Sequence, residues 1–110
     1  MNDENQTPDS DELKARLNAE TARIAWTDLE RHFARGVVVR VADSLDLVEI
    51  AVAMVSDQAD VIAQAMQAGR VAPATEDDAR GWQGETLWAV VIAPWILVQE
   101  RAHEKGVTLQ

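Results

Sequence analysis

Leu87-Trp88-Ala89-Val90-Val91-Ile92-Ala93-Pro94-Trp95-Ile96-Leu97-Val98 is the most apolar stretch of the chain, and its conformation decides the fold. Periodicity alone does not separate a buried helix from a buried strand in such a run. The β-branched cluster Val90-Val91-Ile92 favours a strand. Pro94 would disrupt the middle of a helix, yet it suits the first turn of one. The reading adopted is a strand through about Ile92, then a helix that opens at Pro94 and runs toward Gly106. The rival is one Pro-kinked central helix from about Thr86, which would make the domain all-α.

Upstream of this run the elements are easier to place. Thr75-Glu76-Asp77-Asp78 opens a short helix, with three acids where the helix dipole favours them. Val71, before the helix-incompatible Ala72-Pro73 pair, can add a brief strand beside Val37-Val38-Val39-Arg40-Val41. Four valines in five residues after Gly36 form a strand signal, and Arg40 wets the face it shares with Val38. Between these strands, Leu45, Val48, Val52 and Val55 recur at helical spacing after Asp43 or Ser44 as cap. A break near Ser56-Asp57 leads to a second helix that buries Val61, Ile62, Ala65 and Met66 and stops at Gly69. Thr27-Asp28-Leu29-Glu30 reads as a capping box for a short helix ending at Gly36. A first, surface helix starts at Asp9 or Ser10 and shows Leu13 and Leu17 on one face.

Composition bounds the rest. One ordinary domain accounts for 110 residues, and 47% apolar content suffices for a core without metal or disulfide staples. Residues 1–8 read as a disordered acidic tail and residues 9–110 as a single globular domain. There is no cysteine, which removes thiolate nucleophiles, disulfides and cysteine metal sites. The 12-residue apolar run is too short to span a membrane, which takes about 20 residues. The acidic N-terminus is unlike a targeting segment, so a cytoplasmic location is expected. A net charge of −9 argues against nucleic acid or an anionic membrane as partner and in favour of basic partners.

Several strings in this chain are similar to a known family. Ser44-Leu45-Asp46-Leu47-Val48-Glu49, Ala79 with Trp82, and above all Leu87 to Glu100 resemble the bacterial family known as domain of unknown function 2288. The similarity also takes in Thr21 to Trp26 and covers roughly residues 13 to 101. The resemblance implies a bacterial cytosolic origin and a compact single domain. It implies no activity, cofactor or catalytic residue.

Candidate site residues fall into three groups. Asp43, Asp46 and Glu49 can converge near the start of a helix, where carboxylates suit Mg²⁺ or Mn²⁺. The competing reading is a solvated acidic face, for which a basic partner surface is the natural complement, and no cofactor is then expected. Asp57 and Asp60 lie too far along to share an ion with Glu49. Trp26 and Trp82 sit at element boundaries, where an indole serves equally as core or as binding surface. Trp88 and Trp95, seven apart, share one face of a helix but opposite faces of a single strand, and are read as core. Gln99 and Glu100 end the apolar run and either line a cleft or mark its emergence into water. Glu100 precedes His103 by three, but a Glu-x-x-His pair is a di-iron ingredient only with a second such motif, which the sequence lacks, so His32 and His103 read as solvated. No phosphate loop or nucleophile elbow is present.

The expected fold is therefore α+β, a mostly helical single domain with a small two- or three-stranded sheet, the alternative being all-α. The expected function is that of a small non-enzymatic interaction or regulatory protein, with a protein partner or a second copy of itself. The alternative is a hydrolase or transferase assisted by a divalent metal on the acidic cluster.

Overall fold

The computed structural model describes residues 2–100, with side chains from residue 11 onward. The elements are α1 (Asn2–Glu20), β1 (Ala22–Ala25), α2 (Trp26–Ala34), β2 (Val38–Val41), α3 (Leu47–Val55), α4 (Ala59–Gln67), β3 (Val71–Pro73), α5 (Glu76–Gly81), β4 (Thr86–Ile92) and β5 (Trp95–Gln99). The α+β class holds, but a small two- or three-stranded sheet is the wrong description. The strands form one five-stranded mixed sheet in the order β1-β4-β5-β2-β3. An all-α domain with a kinked central helix is equally excluded.

The correction turns on Pro94. It neither opens nor kinks a helix: Ala93 and the cis-linked Pro94 make the turn of a hairpin, and Ile92 pairs with Trp95 across it. A turn position needs no amide hydrogen for the ladder, so proline is tolerated there. Beyond the turn, Trp95 to Gln99 pair antiparallel with β4 on one side, and Ile96 to Val98 pair parallel with β2 on the other. The part of the expected helix beyond Glu100 lies outside the described residues.

Helices cover both faces of this sheet. On one, Leu17 of α1 and Leu47, Val48, Ile50 and Ala51 of α3 bury against Val39, Val41, Val71, Val90 and Leu97, with Ile62 and Ala65 of α4 packed alongside. On the other, Trp26 and Leu29 of α2 and Trp82 after α5 bury against Val38, Leu87, Ala89, Ile96 and Val98. Successive side chains of a strand point to opposite faces, so β4 and β5 must be apolar at almost every position to serve two cores. That is why the central run lacks strand periodicity. The hairpin also puts Trp88 and Trp95 on the same face, because Trp95 lies directly opposite Ile92 and so shares its side of the sheet.

Two further expectations are corrected locally. The Thr27-Glu30 capping box does not form, because β1 runs directly into α2 and Ala25 takes the cap position, leaving Thr27 already inside the helix. Asp46, rather than Asp43 or Ser44, caps α3 through hydrogen bonds from the Val48 and Glu49 amides. The glycine stops hold: Gly36 and Gly69 follow α2 and α4 with φ of 78° and 75°, the left-handed region glycine enters without strain.

Candidate functional site

The loop from β2 to α3 and the start of α3 carry Asp43, Asp46 and Glu49. Asp46 Oδ1 accepts from Val48 N at 2.9 Å and from Glu49 N at 3.3 Å, so this carboxylate holds the helix start. Glu49 points away to α1, where Lys14 Nζ lies 3.5 Å from its Oε2. Asp43 is half-buried in the turn that precedes the cap. The three are thus divided between turn, cap and interhelical ion pair. Among the described residues, no group of three or more His, Asp or Glu side chains is placed to hold a metal ion.

Trp26 and Trp82 meet in the core of the opposite face. Both are buried, their ring centroids lie 5.3 Å apart, and Phe33 stands edge-on to Trp26 at 5.6 Å. Trp82 is tied outward by its Nε1, which donates to Glu100 Oε2 at 2.9 Å. The pair Trp82 and Glu100 forms part of the wall of a cleft of about 310 Å³, whose other walls include Asp77, Asp78, Glu85 and Leu87. Asp78 accepts from the Thr75 amide in a capping box and from Arg40 Nε on β2 at 3.2 Å; Asp77 pairs with Arg80. The Thr75-x-x-Asp78 spacing is the sequence signal for this cap; its link to Arg40 belongs to the tertiary fold alone. Asp78→Ala keeps the bond from its own backbone amide to Thr75 Oγ1 but removes the return bond from the Thr75 amide and the bond from Arg40 together, and is expected to lower stability by about 1–2 kcal/mol. Thermal melts beside Asp77→Ala, which leaves both bonds intact, check this.

Gln99 belongs to the first core. Its side chain is 0% exposed, and its Nε2 donates to the carbonyls of Ala42 at 2.8 Å and Leu45 at 2.7 Å. It therefore latches the β2-to-α3 loop onto β5 from within the core. Of the two residues that end the apolar run, Gln99 is a structural clasp and only Glu100 emerges.

A second cleft was not anticipated. Between α1, α3 and α4 lies a groove of about 520 Å³ with Leu45, Ile50, Val52, Ala53 and Val61 along its floor and sides. Asp11, Lys14, Asp46, Glu49 and Gln58 form its rim. Val61 and Met66 of α4 and Val55 of α3 are 42%, 50% and 44% exposed, and Met66 borders a shallower hollow between the same two helices. Helical periodicity assigns Val61 and Met66 to a buried stripe, but α4 lies over the short edge strand β3 and buries little beyond Ile62 and Ala65. Sequence spacing cannot tell how wide a sheet a helix will find beneath it.

These features define a three-layer α/β/α domain with an acidic cleft on one side and an apolar, acid-rimmed groove on the other. No helix among the described residues is long and apolar enough to cross a membrane. The chain belongs to the family described as Protein of unknown function (DUF2288), whose family model matches residues 12–100. It is similar to the protein in "NMR solution structure of PA1075 from Pseudomonas Aeruginosa", at 42% identity and a TM-score of 0.74, over 84% of this chain and 87% of that one. No curated protein matches it.

Proposed function

We propose that this protein is a small cytoplasmic, non-enzymatic interaction module that docks a protein partner on its α1–α3–α4 face. The observation that carries the reading is the apolar groove with Val61 on its border, flanked by exposed Val55 and Met66. Single exposed apolar side chains are ordinary on a soluble protein, whereas a concave apolar surface with a polar rim is the usual form of a recognition site. The structural roles of Asp46, Trp82 and Gln99 as cap, core and clasp support the same reading, since each has a task in holding the fold.

A photoreactive amino acid placed at position 61, and in a control at exposed Gln83 on the other side of the sheet, tests the reading in cells. A discrete adduct from position 61 alone is the expected result. An adduct at twice the mass of the chain identifies a second copy as the partner. No adduct, or the same smear from both positions, counts against the proposal.

A further inference from the structure

From this interaction reading, on which the inference rests, we infer that the groove's occupant is a basic amphipathic helix of a partner protein. Backbone chemistry selects the helix. The groove is walled by α1, α3 and α4, whose interior amides and carbonyls are already paired, so it offers no ladder to an incoming strand. A docked segment must satisfy its own backbone and present side chains at one-turn spacing, which a helix does.

Charge selects the sign. Among the described residues, three carboxylates, Asp11, Asp46 and Glu49, stand on the rim against one ammonium, Lys14, which is already 3.5 Å from Glu49. Lysine or arginine flanking an apolar stripe completes that rim. A second copy of this chain does not. A two-fold dimer sets the same patch against itself, bringing Asp46 and Glu49 toward their own counterparts on a chain of net charge −9.

The test uses two short helical peptides with the same leucine stripe, one with lysine and one with glutamate at the remaining positions, titrated calorimetrically into the full chain. The lysine peptide is expected to bind and the glutamate peptide not. Val61→Asp and Glu49→Lys are each expected to weaken binding by about tenfold or more. Glu30→Lys, an identical charge change on α2 across the sheet, is expected to leave it nearly unchanged. Thermal melts confirm that each variant is folded. Equal losses from Glu30→Lys and Glu49→Lys would mean that the peptide senses net charge alone, and would overturn the inference. Equal binding of both peptides, lost in Val61→Asp, would overturn the basic occupant and leave the interaction reading standing. Absence of binding by either peptide would overturn the helical occupant; the position-61 adduct then decides the broader reading separately.

Discussion

Leu97→Ala is expected to lower the unfolding free energy by about 3–5 kcal/mol, against the roughly 5–15 kcal/mol that holds a whole domain together. Leu97 is fully buried in β5, which is hydrogen-bonded to β4 and β2 and lies beneath α3. Truncation there removes the transfer energy of three carbons and leaves a cavity that neighbours on two strands and a helix cannot collapse to fill. The melting temperature should fall by roughly 10–20 °C. Val91→Ala on the same hairpin is the control. Val91 is 61% exposed, because α2 leaves that part of the opposite face uncovered, and its truncation should change stability by no more than about 0.5 kcal/mol. Two apolar residues of one run thus differ severalfold in consequence. Similar losses at both would mean that the hairpin is covered on both faces in solution.

The same run shows how much of the fold was legible. Val90-Val91-Ile92 announced a strand through β-branching, a local property. Trp95 to Val98 could not, because Pro94 serves a helix start and a hairpin turn equally well by its own stereochemistry. The choice between them is made by the pairing of Val90 with Leu97 and of Val39 with the same residue, contacts distant in sequence for β2. β1 was illegible for another reason. Ala22-Arg23-Ile24-Ala25 carries little strand propensity, and pairing with β4 at the sheet edge makes it a strand. Helices with local signals fared better: the glycine stops at 36 and 69, the break near Asp57 and the Thr75 cap all stand in the structure. The candidate sites were legible as residues but not as places. Trp82 and Glu100 are 18 residues apart and share a hydrogen bond, while Asp46 and Glu49, three apart, turn to separate tasks.

Gln99→Glu is expected to be as damaging as a large core deletion, although it exchanges one NH₂ group for one oxygen. The native amide donates to the Ala42 and Leu45 carbonyls, and Gln99 Oε1 has no hydrogen-bond partner among the described residues. A carboxylate in the same place would set negative oxygens against two carbonyl oxygens with no donor to compensate them. An uncompensated buried charge costs about 3–5 kcal/mol, so the variant should be marginal or unfolded at pH 7. Gln99→Met supplies the reference, since it loses both bonds but introduces no charge, and about 1–3 kcal/mol is expected there. The two variants should diverge with pH in one direction. Burial favours the neutral acid in the folded state, so the folded variant holds its proton to higher pH than the unfolded chain. In acid both states are protonated, the acid can donate one of the two lost bonds, and Gln99→Glu approaches or exceeds Gln99→Met in stability. As pH rises through the ordinary glutamate range the unfolded state ionises first, and the folded state loses ground until it too gives up the proton, above which the difference levels off. Urea melts of both variants at pH 4 and pH 7, each referred to the native protein at the same pH, measure the difference. A Gln99→Glu variant no less stable than Gln99→Met at pH 7 would show that water reaches this side chain. The clasp between β5 and the β2-to-α3 loop would then be far looser than two short hydrogen bonds in a sealed core require.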